Sequence, residues 1–241
     1  MSASIRAILF DKDGTLLDFW PSWGPIGVKA ADLAARGDAG LAEALLEAAG
    51  IGLDQRQAAP GSVFAAGSAK EIAEIWVAAG VAWEVPALTA ALDDLFRASV
   101  DAVVPVGDLE AIFAGLRARG LRIGIASSDG EAAIRGTVAR FGLDDHVTFV
   151  AGWDSGHGGK PGPGMVEAFC RHLDVAPAEV AVVGDTLHDI GMARAAAAGL
   201  AVGVLTGTGS AEMLAAVADR VIPSIVDLAD LLDGLEPSPR G

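Results

Sequence analysis

Cysteine, basic residues and long apolar runs are all scarce in this sequence. The single cysteine, Cys170, excludes an intramolecular disulfide and fits a reducing compartment. Lys and Arg number 17 against 32 Asp and Glu, and a net charge of −15 argues against nucleic acid or an anionic membrane as a partner. The same acidity repels a phosphorylated substrate at long range. An anion site here must therefore be built from local cations, a metal or backbone N–H groups. No stretch reaches the ~18 uninterrupted apolar residues of a membrane span, and the apolar run near the start is too short for a secretory signal. The expectation is a soluble, cytoplasmic protein. What the chain does have is apolar mass: 52% of its 241 residues are hydrophobic and the mean hydropathy is +0.44. Such a chain can bury a substantial core, as one large or two modest domains, and disorder is excluded.

The most informative stretch is Ile5 to Leu17, I-R-A-I-L-F-D-K-D-G-T-L-L. Ile5 to Phe10 reads as a short buried strand running straight into Asp11, a spacer lysine, Asp13 and Gly14. Open α/β sheets place their ligands at the carboxyl edge, where such a strand would end. Two like charges about 4 Å apart repel by roughly 4 kcal/mol at an effective dielectric of ~20. The pair therefore suggests a divalent cation or a division of acid and base roles. A plain Asx-type turn is the bland alternative. A calcium loop is rejected, because the glycine comes at the fourth position and Ser22 stands where the closing glutamate belongs.

Along the rest of the chain, Asp18 to Pro25 holds two tryptophans and two prolines and reads as a link. Helical periodicity follows over Ile26–Ala35, Ala39–Ala49, Ser68–Ala79 and Pro86–Val100, with loop chemistry over Gln55–Gly67 and no convincing strand. Beyond Val104 strands and helices alternate. The expected strands are Leu121–Ala126, Val147–Ala151, Glu179–Val183, Ala201–Leu205 and Arg220–Ile222. Alternation of this kind predicts an α/β fold, a doubly wound parallel sheet with an inserted α-helical cap. The expected division is a core of residues 1–18 and 104–241 and a cap of residues 19–103. Links near Phe19–Gly24 and Val103–Gly107 are expected to let the cap close over the sheet edge.

Three of the strands end in polar clusters that parallel strands bring to one edge: Asp11 with Asp13, Ser127, and Asp185 with Asp189. The glycine-rich loop G-G-K-P-G-P-G adds Lys160. It is not a Walker loop, since Pro161 follows the lysine, and Gly207-Thr208-Gly209 does not continue into a dinucleotide fingerprint. Four carboxylates, a lysine and a hydroxyl suit a hard divalent cation, Mg²⁺ first, held with the oxygens of a phosphoryl group. One aspartate can then act as nucleophile and the other as general acid and base.

Taken in order, D-K-D-G-T-L, Ser127 after L-R-I-G-I-A, Lys160 in K-P-G-P, and G-D-T-L-H-D resemble the four motifs of the haloacid dehalogenase-like hydrolases. The position of the helical insertion resembles the phosphoglycolate-phosphatase-like branch. The resemblance implies Asp11 as nucleophile, Asp13 as acid/base, and Ser127 and Lys160 as holders of the phosphoryl group. It also implies Mg²⁺ bound by Asp11, the backbone carbonyl of Asp13 and Asp185, with Asp189 supporting the metal shell or Lys160. Ser128 stands where the family often has asparagine and joins the phosphate set as a candidate. The expected partner is a small phosphorylated molecule, with the protein a monomer or homodimer. Within the cap, Arg56, Ser62 and Lys70 are the candidates for reading the leaving alcohol. Sugar phosphatase, phosphomutase or phosphotransferase activity, and a silent scaffold, are the alternatives. Cys170 and His172 do not share a helix face, so no Cys–His pair is expected, and Cys170 is expected as a core thiol; Trp20 and Trp23 are expected to pack at the hinge, with lining of the substrate entrance as the alternative.

Overall fold

The structure, a computed structural model, describes residues 4–52, 57–58 and 61–235. It opens with β1 (Ala7–Phe10), apolar throughout and fully buried. The chain then leaves the sheet for a helical insertion: α1 (Phe19–Ala35), α2 (Ala39–Ala48), β2 (Ile51–Gly52), β3 (Gln57–Ala58), α3 (Val63–Ala66), α4 (Ala69–Ala78) and α5 (Val85–Ala98). It returns through α6 (Leu109–Ala118), β4 (Arg122–Ala126), α7 (Glu131–Arg140), β5 (Val147–Ala151), α8 (Gly164–Leu173), β6 (Val180–Gly184), α9 (Leu187–Ala195), β7 (Leu200–Val204), α10 (Ala211–Ala215), β8 (Arg220–Ile222) and α11 (Leu228–Leu235).

The six core strands form one parallel sheet in the order β5-β4-β1-β6-β7-β8. β1 is central, with Phe10 level with Ile125 of β4 and Val183 of β6. Helices cover both faces, which is why the central strands are apolar runs rather than alternating ones. One face carries Ile8, Phe10, Ile123 and Ile125 into a core shared with the insertion; the other carries Leu9, Val180 and Val182 against α8 and α9. Cys170 is buried in that second core as a free thiol. No helix among the described residues is long and apolar enough to cross a membrane.

The expectations for the insertion need three corrections. Asp18–Pro25 is not a link: from Phe19 onward it is helix, continuous to Ala35 with Pro25 inside. Pro21 lies in the first turn, where backbone N–H groups have no helical acceptor, so only Pro25 forfeits a bond. Burial of Phe19, Trp23 and Ile26 along one face offsets that loss. Second, the insertion contains a two-stranded antiparallel ladder, β2 with β3, too short to leave a sequence pattern. Third, part of the supposed loop is the single turn α3, capped by Ser62.

The two passages between sheet and insertion run side by side. The Asp18 N–H donates to the Val104 carbonyl at 2.8 Å, and the Val106 N–H donates to the Leu16 carbonyl at 3.0 Å. Ser22 Oγ, in the first turn of α1, accepts the Val104 N–H at 2.9 Å.

Candidate active site

At the end of β1 the ladder continues one residue further, with the Asp11 N–H donating to the Val183 carbonyl at 2.8 Å. The chain then folds back on itself, and the Leu16 N–H reaches the Lys12 carbonyl at 2.9 Å. This turn needs Gly14, whose φ is +83° and whose missing Cβ would lie 2.6 Å from the Asp185 carboxyl carbon. A carboxylate from β1 and one from β6 thus come together because glycine leaves room between them. Gly207 serves the same end from the far side, since a Cβ there would fall within 1.8 Å of Asp185 Oδ2.

Lys160 arrives from the loop after β5, its side chain only 3% exposed. Its Nζ lies 2.5 Å from Asp11 Oδ1 and 2.6 Å from Asp189 Oδ1. Asp189 sits in the first turn of α9 and is fixed there by a reciprocal cap. Thr186 Oγ1 donates to Asp189 Oδ2 at 2.6 Å, and the Asp189 N–H donates back to Thr186 Oγ1 at 3.3 Å. Asp185 Oδ2 accepts the Thr208 N–H at 2.9 Å, and Thr15 Oγ1 approaches Oδ1 at 3.5 Å. Asp189 thus pairs with Lys160 while also standing beside Asp11 and Asp185.

Oxygens of Asp11, Asp185 and Asp189 all lie within 4.8 Å of one another, and all three residues are buried. Three carboxylates face a single lysine. Burial, with the charges of Asp189 and Asp13 behind it, pushes Asp11 up to about 7 despite Lys160. Burial and the neighbouring charges of Asp11 and Asp189 hold Asp185 well above the ordinary carboxylate range. Burial opposes a charge on Lys160, but Asp11 and Asp189 outweigh it and keep the ammonium above its usual value. A donor set of hard oxygens with surplus negative charge fits a divalent cation.

The Asp13 side chain lies outside this trio. It is gripped by Lys12, with Nζ at 2.7 Å, and by the Trp23 indole, whose Nε1–H donates to Oδ1 at 2.7 Å. Burial raises Asp13 above its ordinary value, against the pull of Lys12. Ser127, at the end of β4, is buried and its Oγ accepts the Asp129 N–H at 3.1 Å. Ser127, Ser128, Lys160, Asp11 and Asp13 line one side of a cleft of about 610 Å³, counting the part open to solvent. The other side belongs to the insertion: Phe19, Trp23, Phe64, Ile72 and Phe96.

The cap candidates fare differently from the core set. Ser62 Oγ accepts the Ala65 N–H at 3.3 Å as a helix cap. Lys70 is exposed and lies 3.6 Å from Glu74, one turn along the same helix. Neither lines the cleft. Arg56 lies outside the described residues. Sequence reasoning also passed over three groups. Lys12 looked like a spacer, yet it is 2% exposed and also pairs with Asp129 at 3.0 Å. Thr15 and Thr208 carry no sequence signal for their contact with Asp185. For Trp23, packing was the expectation, and the hydrogen bond to Asp13 is additional to it.

Residues 5–197 match the family described as haloacid dehalogenase-like hydrolase. Over 240 residues the chain is 30% identical to a phosphoglycolate phosphatase of Rhodospirillum rubrum, covering 98% of this chain and 93% of that one. Among solved structures it resembles CbbY of Rhodobacter sphaeroides in complex with phosphate, with a TM-score of 0.68 at 19% identity over 93% of this chain and 96% of that one. It also resembles a β-phosphoglucomutase of Clostridium difficile, with a TM-score of 0.66 at 18% identity over 95% and 98% of the two chains. At these identities the two structures show the shared fold.

Proposed function

Since the chain belongs to the haloacid dehalogenase-like hydrolases, we propose that it is a Mg²⁺-dependent phosphatase that hydrolyses a small phosphomonoester through a phosphoryl group carried on Asp11. One arrangement carries this reading. Asp11, held by Lys160 at 2.5 Å, and Asp13 line the same side of one cleft with Ser127.

Asp11 attacks phosphorus, and the bond to the leaving alcohol breaks as the Asp11–phosphorus bond forms. Asp13 gives its proton to the departing oxygen. In the second half, Asp13 takes a proton from water, the water oxygen bonds to phosphorus, and the Asp11 carboxylate is released. Lys160 holds Asp11 Oδ1 and leaves the second oxygen of that carboxylate for the attack. Ser127 and Lys160 supply donor and positive charge for the phosphoryl oxygens. A Mg²⁺ ion at Asp11 and Asp185 would add charge neutralisation of the transferring group.

The named relative from Rhodospirillum rubrum supports a phosphoglycolate-like substrate, whose carboxylate would require a cation. Ser62 and Lys70 do not line the cleft, so Arg56 is the cap candidate for that role. The side of the cleft formed by the insertion favours a second reading. Its described lining is aromatic and aliphatic, suited to an uncharged leaving group. Transfer to a second substrate hydroxyl instead of water is the mutase variant, and analysis of products separates it from hydrolysis.

The test is hydrolysis of an aryl phosphate with Mg²⁺, loss of turnover in EDTA, and turnover at the assay floor in Asp11→Asn. Substantial turnover in that variant would remove the nucleophile assignment. A panel containing 2-phosphoglycolate and neutral alkyl and aryl phosphates then separates the two substrate readings, with Arg56→Ala selective for the first.

A further inference from the structure

Three tryptophans of the insertion, Trp23, Trp76 and Trp83, direct their indole N–H groups differently. Trp76 donates to the Leu45 carbonyl at 2.8 Å, and Trp83 to the Ala34 carbonyl at 3.1 Å. Both satisfy a largely buried donor within the insertion, as packing alone requires. Trp23 crosses to the sheet edge and donates to Asp13 Oδ1 at 2.7 Å. Lys12 grips the same carboxylate at 2.7 Å, pairs with Asp129 at 3.0 Å, and lies 5.2 Å from the centre of the Trp23 ring.

Both donors are themselves fixed. The Trp23 ring meets Phe96 of α5 edge-on at 5.3 Å. The first turn of α1, just before it, is tied to the return passage through Ser22 and Val104. Lys12 is enclosed, with a side chain 3% exposed. The Asp13 carboxyl group is thus held by one side chain from the sheet edge and one from the insertion.

We propose that Trp23 and Lys12 are positioning residues for Asp13, holding its carboxyl group toward the leaving-group oxygen. This rests on the assignment of Asp13 as the acid/base above. Trp23 makes the insertion a contributor to the chemical step as well as a wall of the cleft. With the indole donor absent, the Asp13 carboxyl group rotates away from the line of proton transfer, and a 1 Å misplacement of a catalytic group is costly.

The test exploits leaving-group basicity. The first-step constant kcat/KM for an alkyl phosphate depends on protonation of the departing alkoxide, whereas p-nitrophenolate departs with little help. Trp23→Phe keeps the aromatic packing and removes the donor. It should lower kcat/KM for glycerol phosphate by about tenfold or more and for p-nitrophenyl phosphate by less than about threefold, a fraction of what a full general acid provides. Equal losses on both substrates, or none on either, would overturn the proposal. Should Trp23→Phe melt below the assay temperature, Lys12→Gln reads the same selectivity from the other donor. A wild-type protein inert on both substrates refutes the phosphatase reading and this inference with it. Wild-type turnover with parallel losses refutes this inference alone.

Discussion

The sheet edge and the helical insertion build their shares of the cleft by different means. At the edge every charged group has a short, named partner: Lys160 to Asp11 and Asp189, Thr186 to Asp189, Thr208 to Asp185. The carboxylates sit at or just beyond the ends of parallel strands and Lys160 reaches them from the loop after β5, so a shift of one would carry its partners with it. The insertion instead offers Phe19, Phe64, Ile72 and Phe96, whose contacts have no direction, together with the hydrogen bond from Trp23 to Asp13. The edge therefore suits one reaction, while the insertion can change its lining without disturbing the charges below.

Removing the edge's central charge should break this contrast most severely. Asp11→Asn is expected to abolish turnover while leaving the fold intact, because it relieves a crowd of like charges; a lowered Tm would contradict that picture. Lys160→Met goes the other way. It strands Asp11 and Asp189 without their buried cation, and loss of one partner of such a pair costs roughly 3–5 kcal/mol. Denaturant unfolding measures it, and a change within about 0.5 kcal/mol would mean the lysine is not holding the edge together.

A pH titration sharpens the comparison further. The folded state holds a proton on Asp11 up to about 7, whereas the unfolded chain releases it near 3.8. Between those values the folded state binds more protons, so stability from this group is present at low pH and lost as pH rises toward 7. In EDTA, the wild-type Tm should fall from pH 5 to pH 7 more steeply than that of Asp11→Asn. Mg²⁺ should raise the wild-type Tm more at pH 8 than at pH 5. Identical slopes with and without Asp11 would show that the carboxylate crowd is not under strain. The smallest effect belongs to the insertion. Phe64→Ala should change kcat/KM among neutral leaving groups by about tenfold, within the 1–3 kcal/mol that apolar pocket contacts provide, and leave Mg²⁺ dependence unchanged. Altered metal dependence would deny the separation of roles.

The same contrast governs what could be read from the sequence. Buried strands end abruptly in polar clusters, so β1 and β6 with their carboxylates and β4 with Ser127 were legible from contiguous residues. Asp13 and Ser127 line one cleft with them because parallel strands share a direction, and the loop after β5 brings Lys160 there. The insertion gave less. Pro21 and Pro25 masked the start of α1, since local propensity does not report the burial that offsets Pro25. β2 and β3 have two residues each, too few for a periodicity. Charge was also a poor guide there: Lys70 pairs with Glu74 on the surface, while the cleft is lined by Trp23, for which the substrate entrance was the lesser alternative, and by phenylalanines that carry no site signal. Lys12 and Trp23 were hidden because their partners, Asp129 and Asp13, are adjacent only after folding.

The central claim is that Asp11 carries the phosphoryl group during turnover. Rapid quenching of the enzyme with saturating substrate, followed by borohydride reduction, converts an aspartyl phosphate to homoserine. Peptide mass spectrometry should then find homoserine at position 11 and aspartate at positions 13, 185 and 189. Steady turnover with aspartate retained at position 11, or homoserine at another position, would contradict the account.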